Sequence, residues 1–254
     1  MSNFSLESQN LHKIKELFTH YSHLLTPDFE NRIKQSIRVL HHRYLWGACK
    51  ETQKILAKYP TDNLFDTIMN IYNKRRKEHQ AKFLLLHCFE NALRSTLAVE
   101  IANLYNNDKD DWFLKSQSQN AKENRLLKQI ADITHKRHLQ ISDFQNTFDV
   151  FDIFSLGDLK QILANHWSEL SSLFTESKEY KSQPLPSYGT RAHLIDKIDQ
   201  IRNARNEIFH NKPTKIRFQK DLEILLLRLG YNLYDATNIG EIQSCIALQY
   251  HYDN

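Results

Sequence analysis

Apolar residues recur at intervals of three and four along most of this chain, which is the pattern of amphipathic helices. The pattern predicts helices over 11–25, 27–59, 64–105, 190–210 and 218–234, with two or three shorter helices between 121 and 174. Thr26 followed by Pro27 is a start signal, and Asn211 with Pro213 is a stop signal. The polar segment 73–78 either interrupts the long helix or lies on its exposed face, whereas 106–111 and 178–189 are predicted loops.

Composition supports a helical fold. The 254 residues include only five glycines and five prolines, and an all-β chain needs more turn residues than that. A hydrophobic fraction of 41% is enough to form a core. Because neither an internal repeat nor a linker is visible, we expect one all-α domain over residues 1–254.

The same composition argues against several classes of protein. The three cysteines are far apart and form no C-x-x-C pair, which argues against a disulfide framework and a structural zinc site. Neither a secretory leader nor an apolar run long enough to cross a membrane is visible, so we expect a cytoplasmic protein. A net charge of +4 is compatible with a polyanionic partner without identifying one.

Two predicted helices carry charged residues on their apolar faces. Glu90 and Arg94 lie four residues apart within the first of these faces, and Arg205 lies about 20° from Leu194 in the other. The apolar positions are Phe83, Leu86, Leu93, Leu97, Ile101 and Leu104 in one helix, and Leu194, Ile198, Ile201, Ile208 and Phe209 in the other. Because an unpaired buried charge is unfavourable, we expect Glu90 to lie between the two arginines. Such a network is either structural or part of a functional site.

Three segments resemble one known family. The run from Arg205 to His210 matches the R-N-x-x-x-H signature of HEPN domains, and with Asn211–Pro213 it resembles the R-N-x-x-x-H-H-x-P run of Abi-like abortive-infection proteins. Glu90 with Arg94 resembles the E-x-x-x-R stretch of that family's central helix, and FSLGDL at 154–159 resembles its short connecting segment. Order and spacing agree over 83–213, and 1–75 would form additional N-terminal helices.

The resemblance implies a HEPN-like helical bundle that forms a homodimer and cleaves RNA without a metal or other cofactor. His210 would move a proton, Arg205 would stabilise the charge of the transition state, and Asn206 would orient them, with Glu90 and Arg94 in support. On an ideal helix Arg205 and His210 point about 140° apart, so a site shared by two protomers suits them better than one chain. The family further implies a phage-defence effector or toxin, restrained by an antitoxin protein or an associated RNA.

In that family many members have a second histidine at the position of Asn211, which leaves the role of a second imidazole open here. A catalytically silent module that binds RNA, nucleotide or a partner protein is the alternative function.

Basic residues beyond the motif are weak candidates for RNA contacts: Lys212, Lys215, Arg217 and Lys220. We interpret the basic run 74–77 as a solvated face. The histidine pairs 20/23, 41/42 and 135/138 lack the spacing of a metal site.

Overall fold

The computed structural model describes residues 5–106 and 109–231, and it is mostly helical. The prediction of an all-α fold is confirmed. The α-helices are α1 (Leu6–Leu17), α2 (Pro27–Val39), α3 (His42–Leu56), α4 (Leu64–Tyr105), α5 (Ala121–Arg137), α6 (Thr147–Asp152), α7 (Leu156–Asn165), α8 (Trp167–Leu170), α9 (Ser172–Thr175), α10 (Arg191–Phe209) and α11 (Gln219–Arg228). Short 3₁₀ segments cover Thr19–Leu24, Trp112–Leu114 and Ile141–Asp143. None of the described helices is long and apolar enough to cross a membrane.

The backbone divides into two compact units, each with its own core. The described part of unit 1 comprises residues 5–82 and 207–214, and that of unit 2 comprises 83–106, 109–206 and 215–231. Long helices α4 and α10 contribute residues to both units. The expectation of a single domain over 1–254 stays a prediction.

The core of unit 1 is formed by α1, α2, α3 and the first part of α4. Among its fully buried side chains are Phe18, Ile33, Ala48, Cys49 and Ile68. The predicted helix over 27–59 is wrong in one respect, because Leu40 adopts an extended backbone and separates α2 from α3. The amide of His41 at this break donates to the hydroxyl of Tyr72 at 3.3 Å. That partner comes from another helix, so the local sequence pattern does not reveal the break.

Helix α4 follows the sequence prediction closely. It runs unbroken over Leu64–Tyr105, so segment 73–78 is helical and does not interrupt it. The side chain of Asn63 accepts the amide of Asp66 at 3.0 Å and caps the start of the helix. Most of the predicted apolar face is buried, but Phe83 and Leu104 are each 43% exposed.

Unit 2 contains the remaining elements. Ser155 and Asp158 form a reciprocal capping box at the start of α7, which explains the order of polar residues in FSLGDL. The loop predicted at 178–189 contains a small antiparallel hairpin, in which β1 (Glu179–Tyr180) pairs with β2 (Gln183–Pro184). Helix α11 ends at Arg228, and the predicted extension over 232–234 lies outside the described residues.

Candidate active site

Glu90 is the centre of the charged network in unit 2. Its Oε1 accepts a hydrogen bond from Nη2 of Arg94 at 3.2 Å, and its Oε2 accepts one from Nε of Arg205 at 3.3 Å. The carboxylate-bearing side chain is only 11% exposed, against 18% for Arg94 and 30% for Arg205. The predicted network of one carboxylate between two arginines is therefore confirmed. Its role in function stays a prediction.

Arg94 connects two of the segments that suggested the family resemblance. Its Nη2 also donates to the carbonyl of Phe154 at 3.1 Å, and its Nη1 donates to Oδ1 of Asn91 at 3.0 Å. Phe154 is the first residue of FSLGDL, and the capping box of Ser155 follows it directly. Arg94 therefore fixes the start of α7 against α4.

Arg205 is anchored at its Nε and is partly exposed to solvent. Glu90 holds its Nε, while its Nη1 donates to Oδ1 of the exposed Asn206 at 3.4 Å. Earlier in α10, Asp199 accepts hydrogen bonds from Lys160 of α7 at 2.8 and 3.0 Å. The helix that carries Arg205 is thus held by ion pairs on two of its turns. This arrangement suits a cation that must stay in one place while it binds an anion.

His210 belongs to unit 1, in a tight turn that ends α10. The amide of Asn211 donates to the carbonyl of Ile208 at 2.9 Å, and the amide of Lys212 donates to the carbonyl of Glu207 at 2.8 Å. Asn211 has φ 55°, so the turn is a Schellman motif with asparagine in the left-handed position. His210 is exposed at this turn.

The sequence analysis missed a polar cluster in unit 1 that contacts the same turn. Nη1 of Arg76 donates to Oδ1 of Asn211 at 3.4 Å, and the side chain of Asn211 also lies beside the buried His79. Nδ1 of His79 lies 2.5 Å from the hydroxyl of the buried Tyr44. His79 follows Tyr72 by seven residues on the buried face of α4. That helical spacing is the feature of the sequence from which a buried His79 could have been predicted.

The other candidates from the sequence are exposed. Lys212, Lys215, Arg217 and Lys220 all lie on the surface. The histidines of the pairs 20/23 and 135/138 are exposed too, whereas His41 is half-buried. Within residues 5–106 and 109–231, no group of three or more His, Cys, Asp or Glu side chains is placed to hold a metal ion.

Comparison with protein-family models, with curated proteins and with solved structures gives no match to this chain.

Proposed function

We propose that this protein is a metal-independent endoribonuclease. The observation that carries the proposal is Arg205, whose Nε is anchored by a nearly buried carboxylate while the side chain stays 30% exposed. Asn206 lies beside it, and the exposed His210 ends the same R-N-x-x-x-H run. A fixed cation and an accessible imidazole are the protein groups that RNA cleavage without a metal requires, and an amide beside them can orient the phosphate.

In the proposed reaction the 2′-hydroxyl oxygen of a ribose attacks the adjacent phosphorus. The bond from phosphorus to the 5′-oxygen of the next nucleotide breaks, and a 2′,3′-cyclic phosphate and a 5′-hydroxyl form. The His210 imidazole accepts the proton of the 2′-hydroxyl, and water supplies the proton that the departing 5′-oxygen takes up. Arg205 neutralises charge that develops on the phosphorane, and Asn206 orients the phosphate.

Arg205 and His210 point about 140° apart on an ideal helix, so the proposal includes a homodimer in which Arg205 of one chain and His210 of the other form a shared site. The resemblance to Abi-like HEPN proteins supports this assembly and supports a cytoplasmic role in phage defence. In that role an antitoxin protein or an associated RNA would restrain the nuclease. Glu90 and Arg94 support the site by fixing Arg205 and the start of α7.

Purified protein tests the proposal directly when it is incubated with structured RNA in excess EDTA. We expect cleavage to continue in EDTA, to leave 2′,3′-cyclic phosphate and 5′-hydroxyl ends, and to spare DNA of the same sequence. A requirement for Mg²⁺ contradicts the mechanism because no metal takes part in it, and cleavage of DNA contradicts it because DNA lacks the attacking 2′-hydroxyl. Binding of RNA without cleavage under any condition would instead support the silent module.

A further inference from the structure

Arg76 holds a defined position beside the turn that carries His210. Its guanidinium carbon lies 5.1 Å from the ring centroid of Tyr44, and its Nη1 donates to Asn211 at 3.4 Å. His79 lies between both neighbours, because its Nδ1 is 2.5 Å from the Tyr44 hydroxyl and its ring lies beside the side chain of Asn211. Arg76 is therefore oriented by an aromatic face and an amide.

Its neighbour in the basic run is arranged differently. Arg75 forms an ion pair with Glu51, with Nη2 2.5 Å from Oε2. Arg76 instead donates to a neutral amide, so that contact leaves its charge uncompensated. The two adjacent arginines thus have different roles, and the interpretation of 74–77 as one solvated face is too coarse.

Positive charge also surrounds the two histidines of this cluster. The pKa values of His41 and His79 are lowered first by burial and then by the charge of Arg76. Arg43 adds to the effect at His41, and Lys82 adds to it at His79. Residues from α3 and α4 therefore create a positive potential beside Asn211, which favours binding of an anion.

The surface next to Arg76 has room for such an anion. Asn73, Lys74, Arg76, Lys77 and Glu78 line an open depression on α4. Three of these side chains are cationic and one is anionic, so the lining has a net positive charge. Lys212, two residues after His210, is exposed on the same turn as Asn211.

We propose that Arg76, together with Lys74 and Lys77, binds a phosphodiester of the RNA strand that flanks the phosphate at His210. The inference rests on the proposed function and assigns a role to unit 1, whose part of α4 would supply part of the RNA-binding surface. A guanidinium that is already oriented loses little entropy when it binds phosphate in a bidentate manner. The contact to Asn211 places this phosphate site beside the turn that carries the imidazole.

Two substitutions at Arg76 separate its charge from its hydrogen bond to Asn211. Arg76→Gln removes the charge and retains a donor for Asn211, whereas Arg76→Lys retains the charge. Binding is measured by fluorescence anisotropy on 2′-O-methyl RNA, which the proposed reaction cannot cleave. The control variant Lys54→Ala/Lys58→Ala removes two exposed cations elsewhere in unit 1. Thermal unfolding of each variant shows whether it remains folded.

We expect Arg76→Gln to bind RNA about fivefold more weakly than the parent at 0.1 M salt. The slope of log affinity against log salt concentration should also decrease in magnitude by about 0.7, which is the value for one phosphate contact on a single strand. Arg76→Lys and the control should bind within about twofold of the parent, because non-specific affinity depends mainly on the number of phosphate contacts. Unchanged affinity and slope in a folded Arg76→Gln variant would overturn the inference and leave the nuclease proposal intact. Weaker binding by this variant, with a parent that binds RNA but never cleaves it, would support the phosphate site and overturn the nuclease. A parent that does not bind RNA would overturn both.

Discussion

At the scale of single residues, the three charged residues on apolar faces explain one another. Glu90 is placed where an isolated carboxylate would be unfavourable, and Arg94 and Arg205 supply the compensating charge from both sides. The position of each residue follows from its own helix, and their pairing follows from the signs of the charges. For this reason the sequence was sufficient to predict the network, although not its contact with Phe154.

Replacing Glu90 with alanine should leave two guanidinium groups without their carboxylate. We expect the free energy of unfolding to fall by about 3 kcal/mol, the lower end of the range for breaking a buried pair, since Arg205 is 30% exposed. Chemical denaturation measures the change. Glu100→Ala, at a partly exposed position on the same helix, is the control and should cost less than about 1 kcal/mol. An unchanged denaturation midpoint for Glu90→Ala would show that the network does not stabilise the fold.

His166 makes stability depend on pH. It is buried in unit 2, where its Nδ1 lies 3.0 Å from the Ile162 carbonyl and its Nε2 lies 2.7 Å from the Tyr105 hydroxyl. Burial lowers the pKa of His166 below its ordinary value of 6.5. The unfolded chain therefore binds the proton more readily, so stability is complete above pH 6.5 and declines as the pH falls below it.

We expect the free energy of unfolding of the parent to decrease between pH 7.5 and 5.5. His166→Gln should show a shallower decrease, by at most about 1.4 kcal/mol per pH unit. His41 and His79, whose pKa values are also lowered, act in the same direction and keep a residual slope in the variant. Identical slopes for the parent and for His166→Gln, measured by denaturation at each pH, would contradict the assignment.

At the scale of elements, boundaries set by local chemistry are predictable and those set by tertiary contacts are not. The start of α2 at Pro27 and the end of α10 before Asn211 follow from capping residues. The break at Leu40 depends on the Tyr72 hydroxyl, and the hairpin at 179–184 has positive φ at Lys181 and Ser182, which are not usual residues for that turn. Neither feature has a signature in the local sequence.

The turn after α10 offers a test at this scale. Asn211→Gly should retain the turn because glycine adopts positive φ freely, whereas Asn211→Val should be less stable than Asn211→Gly by about 1–2 kcal/mol. Both variants lose the side-chain contacts to Arg76 and His79, so their difference isolates the backbone conformation. Thermal unfolding of the pair measures it. Equal stabilities would mean that the left-handed conformation at φ 55° is not required.

At the scale of the whole molecule, the sequence predicted the fold class and the charged network of Glu90, Arg94 and Arg205. It did not predict the division into two units or the cluster of Tyr44, Arg76 and His79. Arg76 and Asn211 are 135 residues apart, and no periodicity within one helix reports a contact over that separation. Pairs of this kind become apparent only once the helices are assembled.

A homodimer with a shared site predicts complementation between inactive variants. Arg205→Ala and His210→Ala should each be inactive alone, and a mixture that exchanges subunits should regain about a quarter of the parent activity. Half of the dimers are then mixed, and each mixed dimer has one intact site of two. Recovery of no activity would indicate that each motif serves its own chain. A protein that remains monomeric at micromolar concentration by light scattering would contradict the dimer itself.

The initial rate of RNA cleavage by His210→Ala in EDTA tests the central claim most directly. Because His210 is exposed, this variant should unfold at the temperature of the parent, and the exposed His135→Ala is a matched control. The account predicts a rate at least about 100-fold below that of the parent for His210→Ala, the usual effect of removing a general acid or base. His135→Ala should cleave at the parent rate. A folded His210→Ala that cleaves RNA as fast as the parent would contradict the account.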